Sequence, residues 1–397
     1  MRVENNIPEG WVETALGDIS TRKQYGYTES ASNEKIGPKF LRITDIQNDF
    51  ISWDKVPYCP ISDEDFTKYK LQVGDVVIAR TGNSTGATAT IKENIHAVFA
   101  SYLIRFQINK QLADYDFIDF LLRSKLWDGF VNSVKSGSAQ GGANANDFAL
   151  FPIYLPPLPE QKAIAKVLTA FDDKIELLQA QNKTLETMAQ TIFKEWFGKY
   201  QIGDELPEGW RVGKLGDVMN IFDSKRVPLS KPQREAMSGV YRYYGATKVM
   251  DYVNDYLFDG IYLLFAEDGS VMDEDGYPFL QYVWGKFWVN NHTHILKGKN
   301  SFSTELLYVL CKKMKVAGIV NGAVQLKINQ RNLLSKEIVL PNDYILEKVD
   351  NTIQPLFNKL RINSSQIQSL TKTRDTLLPK LMSGQVRVKN IKQTTDA

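Results

Sequence analysis

The chain has 397 residues, with 48 Lys and Arg against 46 Asp and Glu, three His and two Cys. Its length predicts two or three domains, and a net charge of +2 excludes a strongly basic chain, the simplest mark of a nucleic-acid binder. No apolar run approaches 18 residues, the head MRVENNIPEGW lacks a signal-peptide core, and Cys59 and Cys311 make no disulfide framework, so a cytoplasmic protein without a membrane span is expected.

The head of the chain is a repeat. Pro8-Glu9-Gly10-Trp11 and Leu16-Gly17-Asp18 return as Pro207-Glu208-Gly209-Trp210 and Leu215-Gly216-Asp217, at an offset of 199. A second register, at offset 185, relates Gly137 and Gln140 to Gly322 and Gln325, Asn144 to Asn329, and Leu155-Pro156 to Leu340-Pro341. The chain is thus a duplicated frame around two divergent interiors, the pattern of two modules with different targets.

In the first interior, Phe40–Ile43, Asp75–Ala79 and Tyr102–Ile108 read as strands, and Phe117–Leu126 as a helix. A polar loop, Arg80-Thr81-Gly82-Asn83-Ser84-Thr85-Gly86, leaves the most apolar strand. A second loop, Lys135 to Gly142, is basic and rich in small donors; its counterpart is Asn321 to Lys327. Each reads as a ligand-contacting loop or as a plain surface turn before the Leu-Pro strand.

After Leu155-Pro156-Pro157-Leu158-Pro159 a long helix opens at Glu160 and Gln161, since proline fits a first turn and an acidic residue suits the dipole. Ile164, Leu168, Phe171, Ile175, Leu178, Asn182, Leu185, Ala189 and Ile192 alternate steps of four and three, a heptad seam. The second copy is Val349, Ile353, Leu356, Leu360, Asn363, Ile367, Leu370, Arg374 and Leu377. Two matched seams predict that the helices pair with each other. Each would span about 42 Å from first to last seam residue, against about 34 Å for a turn of B-DNA.

The second interior is aromatic, with Tyr241–Ala246, then the buried strand Ile261–Phe265, and later the strand Trp284–Val289. Asp268-Gly269 falls where Gly82-Asn83 falls in the first copy. His292 and His294, two apart on a strand, would share a face as two metal ligands can, but no Cys or third His is near, so hydrogen bonding is expected and metal is not. No Gly-Lys is followed by Ser or Thr, no G-x-G-x-x-G occurs, and no methyltransferase or nuclease motif is present, so no chemistry and no cofactor are expected of this chain.

Together these features resemble the specificity subunit of a type I restriction-modification system, over essentially the whole chain. The resemblance rests on PEGW followed by LGD at the head of each half, on GDVVIARTGNSTG at Gly74–Gly86, and on LPPLPEQKAIAKVL followed by IFKEWF. In the second half it rests on YYGATKVMDYVNDYLFDGIYLL and WVNNHTHIL. There Leu340-Pro341-Asn342-Asp343 departs from the hinge of the first half.

The resemblance implies an α+β chain with an internal pseudo-two-fold repeat. Two target-recognition domains, 1–155 and 206–340, are separated by an antiparallel two-helix coiled coil, formed by 156–205 and by 341–397 with its tail. It implies double-stranded DNA, two methyltransferase subunits and restriction subunits as partners, with AdoMet, ATP and Mg on those partners. The candidate readers are Arg42, Arg80, Thr81, Gly82, Asn83, Ser84, Lys135, Ser136, Ser138 and Gln140 in the first module. In the second they are Arg226, Tyr243, Lys248, Asp268, Gly269, His292, His294, Gln325 and Lys327. Phe193, Trp196 and Phe197 are expected either to bind a partner or to pack against the next module. Two other readings stay open: a specificity module for another phage-defence enzyme, and a duplicated small-molecule or glycan-binding protein.

Overall fold

The computed structural model describes residues 7–46, 51–136, 142–322 and 326–388. The chain divides into two units, residues 1–177 with 367–397, and residues 178–366. Each unit holds one module together with part of each long helix.

In the first unit, the strand after the PEGW motif, Val12–Ala15, pairs antiparallel with Pro152–Leu155, the strand that leads into the first long helix. The module's entry and exit are thereby fastened side by side. Its main sheet runs in the order Ser20–Tyr25, Leu103–Ile108, Asp75–Ala79, Thr88–Thr90. Asp75–Ala79 is buried throughout: Val76–Ala79 as its apolar run predicts, and Asp75 beside Arg105 at 3.4 Å. The expected strand Phe40–Ile43 is shorter: Lys39–Leu41 pairs parallel with Ala97–Phe99, then Ile43–Ile46 turns as 3₁₀ helix. The Asp45 carboxylate ends the strand by accepting the Arg42 backbone N–H at 2.8 Å. The expected helix Phe117–Leu126 is two helices, Tyr115–Leu122 and Lys125–Ser136. The second extends into the expected loop because Trp127 and Val131 bury one face of it.

The second unit repeats the clasp, Arg211–Lys214 against Glu337–Leu340. Its sheet has six strands, ordered Met219–Ile221, Thr293–Gly298, Phe258–Ala266, Leu280–Val289, Ser238–Tyr244, Val249–Val253. The helix Thr304–Lys313 packs on it through Leu306, Leu307 and Val309.

The long helices run Leu158–Trp196 and Asp343–Met382, and none of the eighteen seam positions is exposed. Gln161 fastens the start of the first helix: its amide donates to the carbonyls of Pro156 and Leu112, at 2.8 and 3.1 Å, and accepts from Asp114 N. At the divergent second hinge, Asn342 takes over, accepting from Ile345 N at 3.0 Å and donating to Glu208 O.

In each unit the helices pair antiparallel. In the first, Ile164 and Leu168 share a core with Leu381 and Met382, and Arg374 donates to Asp172 at 2.6 Å. Arg123 joins the same Asp172 at 2.9 Å, tying the module to both helices. In the second, Ala189 and Phe193 share a core with Val349 and Ile353, and the two seam asparagines meet, Asn363 Nδ2 donating to Asn182 Oδ1 at 3.0 Å. Counted from each helix start these asparagines stand at different levels; antiparallel pairing brings them together. Among the described residues no helix is long and apolar enough to cross a membrane.

Candidate nucleic-acid interface

In the first module, Arg80 ends the buried strand and is held on two sides. Its Nε donates to Ser101 O at 3.2 Å, and its guanidinium lies 5.1 Å from the Tyr25 ring centre. Gly82–Ser84 then makes one 3₁₀ turn, exposing Gly82 and Asn83, with Thr81 half-buried beside them. The loop returns at Gly86, whose φ of +89° and lack of a side chain are both required: a Cβ there would stand 2.4 Å from Val131 Cγ1. Trp127 Nε1 also donates to Gly86 O at 2.7 Å. The turn is therefore held firmly at its base and open at its tip.

The residues after the second expected loop come back to this turn. Ala143 N donates to Arg80 O at 3.1 Å. The second module has the same arrangement: Gly269 N donates to Leu326 O at 3.0 Å, and Asp268 forms a bridge with Lys327. In each module a segment more than fifty residues away in sequence is thus hydrogen-bonded to the turn, Ala143 to Arg80 in one and Leu326 to Gly269 in the other. Ser138, Gln140 and Gln325 lie outside the described residues. Lys135 and Ser136 belong to the helix Lys125–Ser136 rather than to a loop. Ser84 is half-buried. Arg42 is engaged with Asp45 through two hydrogen bonds, at 2.9 and 3.0 Å.

The second module's paired loops carry a charged group. His292 Nδ1 stands 2.5 Å from Asp268 Oδ1, and Lys327 Nζ stands 3.3 Å from Glu267 Oε1 and 4.0 Å from Asp268 Oδ2. His292 and Lys327 are about half exposed. Gly269, at φ +80°, turns the chain where a Cβ would be strained.

Two expected readers, His294 and Tyr243, are instead buried, and a third, Arg226, is half-buried and engaged within the chain. Arg226 donates to Glu267 at 2.6 Å and to the carbonyls of Thr293 and Asn291 at 2.9 and 3.1 Å. His294 is fully buried between Asp223 and Ile328 O, at 2.6 and 2.7 Å. Tyr243 is 1% exposed, and its hydroxyl accepts from Leu229 N at 3.0 Å. The polar atoms of His294 and Tyr243 are hydrogen-bonded, which is what admits them to a core. Lys248 is exposed, but on the turn joining Ser238–Tyr244 to Val249–Val253.

Sequence reasoning missed the groups that organise this interior: Asp223, Glu267 and Gln330. Burial disfavours the ionised Asp223, but hydrogen bonds from His294, Ile295 N and Gln330 outweigh it and hold its carboxyl below the ordinary value. Asp223, Glu267 and His294 place ligand atoms within 4.8 Å of one another, as a metal site would, yet Arg226 reaches both carboxylates.

The aromatic cluster also turns inward. Phe193 and Phe197 are buried, stacked at 4.5 Å, with Phe197 facing Trp210 at 6.3 Å. Trp196 is half-buried under Lys348. Packing against the following module, rather than against a partner, accounts for Phe193 and Phe197.

A chain built of two such modules on paired helices has known counterparts. It matches the model of the type I restriction modification DNA specificity domain twice, over residues 8–187 and 207–372. It is 27% identical over 313 residues to the type I restriction enzyme MjaIX specificity subunit of Methanocaldococcus jannaschii, covering 70% of each chain. It is 26% identical over 409 residues to the putative MjaX specificity subunit of the same organism, covering 96% of this chain and 95% of the relative. The crystal structure of the S subunit from M. genitalium shares the fold, with a TM-score of 0.60 at 16% identity, covering 96% and 98% of the two chains. The chain belongs to the type I restriction-modification DNA specificity family, and it is a specificity subunit.

Proposed function

We propose that each module reads one half of a bipartite, asymmetric site on double-stranded DNA. The long helices set the distance between the halves and dock two methyltransferase subunits that methylate adenine. Restriction subunits add ATP-dependent translocation and cleavage. AdoMet, ATP and Mg belong to those partners; this chain is non-catalytic and carries no cofactor of its own.

One observation carries the reading. In both modules a distant segment bonds to the turn after the buried strand, Ala143 to Arg80 and Leu326 to Gly269, but the side chains there differ: Arg80, Thr81 and Asn83 in one, Asp268, His292 and Lys327 in the other. A fixed frame with variable polar tips suits base-edge recognition, in which hydrogen bonds specify sequence while phosphate contacts only position the protein. The small net charge fits a reader whose partners supply much of the phosphate clamp. With Phe193 and Phe197 buried, partner docking falls to the outward faces of the helices.

The test is to sequence methylated adenines in DNA from cells that hold the partner subunits, with and without this gene. One bipartite motif that depends on the gene is expected. Replacing residues 1–155 with those of a relative changes one half of it. No motif, or a change in both halves, refutes the reading.

A further inference from the structure

In each module's sheet a buried, nitrogen-bearing side chain reaches off the strand to a backbone carbonyl of another segment. In the first module it is Arg105, opposite Gln24 in the register of Ser20–Tyr25 with Leu103–Ile108. Its guanidinium donates to Lys70 O at 2.7 Å, to Lys68 O at 3.3 Å, and to Gln24. In the second module the register that pairs Met219 with Gly298 and Ile221 with Leu296, carried on two residues, sets Asp223 opposite His294. The two sites are equivalent, yet they hold different segments: residues 68–70 in one module, Ile328 in the other.

His294 bridges two oxygens, one on each ring nitrogen. Its Nε2 faces Ile328 O at 2.7 Å, and a carbonyl oxygen only accepts. Its Nδ1 faces Asp223 Oδ2 at 2.6 Å, an oxygen that already accepts from Gln330 Nε2 at 2.7 Å. Gln330 itself lies two residues beyond Ile328, so the same carboxylate grips the segment at a second point.

We propose that His294, backed by Asp223, is a positioning residue that fixes Leu326–Ile328, and with it the tip of Lys327, for reading one half-site; this rests on the assignment of the modules to DNA reading. The segment's other backbone bonds run to its loop neighbours. Lys327 exchanges both of its backbone bonds with Asn321, Leu326 O accepts from Gly269 N, and Ile328 N donates to Glu267 O. His294 is the tie from this segment to the strand Thr293–Gly298. Hydrogen bonds weaken steeply with misalignment, so a loosened backbone blurs what the Lys327 tip can distinguish. The difference between Arg105 and His294 then reads as an interior position that varies with the segment each module must hold.

The experiment uses the full chain in cells holding its partner subunits, with methylated adenines mapped for wild type, Lys327→Ala, His294→Gln and Asp223→Asn. Lys327→Ala identifies the half-site concerned. His294→Gln, whose single amide nitrogen cannot face both oxygens as the two ring nitrogens do, is expected to relax the same half at the same base positions by at least tenfold, with total methylation retained and the other half unchanged. A merely structural role would lower methylation at every site alike. Hydrogen exchange on the purified full chains is the second readout: His294→Gln speeds the amides of Gly269, Lys327 and Ile328 at least tenfold over those of the strand Phe258–Ala266. If His294→Gln fails to fold, the nearly isosteric Asp223→Asn takes its place in both measurements. A folded variant with unchanged exchange at those amides, or with an unrelaxed half-site, overturns the proposal alone. A wild type that yields no bipartite motif overturns the DNA-reading assignment and this proposal with it.

Discussion

Replacing both seam asparagines by leucine should make the second unit more stable. Asn363 is fully buried; its Nδ2 donates to Asn182 Oδ1 at 3.0 Å and to Gln181 Oε1 at 3.4 Å, while its own Oδ1 has no partner. The net worth of the inter-asparagine bond is about 1 kcal/mol, and an unsatisfied buried acceptor costs about 1–3 kcal/mol. Burying a leucine in its place contributes about 1.5–3 kcal/mol. The double variant Asn182→Leu with Asn363→Leu should therefore gain about 3 kcal/mol. Asn182→Leu alone should lose about 1–3 kcal/mol, because it leaves Asn363 buried with only Gln181 to receive its N–H. Urea unfolding, followed by circular dichroism and read by midpoint and slope, separates these signs. A double variant less stable than wild type would refute the reasoning, since the orphan oxygen would then be worth more in place than removed.

Other outcomes follow from contacts described above or found beside them. Gly86→Ala should destabilise the first unit by about 2–4 kcal/mol, through left-handed strain and overpacking against Val131, seen as a lower urea midpoint. Asp223 ionises more readily folded than unfolded, so its contribution is present above the unfolded value of 3.8 and is lost as pH falls through the lower folded value. Melting of wild type and Asp223→Asn from pH 7 to pH 3 should converge at the acid end; parallel curves would exclude that linkage. Arg387 donates to both oxygens of Glu160, at 2.6 and 2.7 Å, and to Glu9 O at 3.1 Å. Arg387→Ala should speed hydrogen exchange at Trp11, whose indole lies under that guanidinium, while leaving the second unit unchanged.

What could be read in the sequence was what periodicity and local apolarity encode. Asp75–Ala79 announced itself as five buried residues, and the seams because a four-three alternation has few other causes. The turn after Asp75–Ala79 was legible as a loop but its neighbour was not, because a bond such as Ala143 N to Arg80 O depends on the whole sheet between them. Arg226, His294 and Tyr243 looked like surface polar groups because a residue's letter does not disclose its partners. Asp223 and Glu267 lie 71 and 27 residues from His294 in sequence, and only the fold supplies them. Phe193 and Phe197 stayed undecided for the converse reason: an aromatic cluster at a helix end fits a partner or a core equally well until Trp210 is placed against it.

The meeting of Asn182 with Asn363 also decides which helices belong together. At the offset of 185 that relates the two copies, Asn363 corresponds to Leu178, and Asn182 to Ile367. Either helix paired antiparallel with its own duplicate would set an asparagine amide against Leu178 or Ile367 at both crossings. The mixed pair alone lets amide meet amide. Asp172 with Arg374 acts in the same sense, for their counterparts are Phe357 and Ala189. A fresh duplication gives two identical helices and no reason to choose between like and unlike. Here four side chains make that choice, giving up some stability so that first half and second half recognise each other as strangers rather than copies.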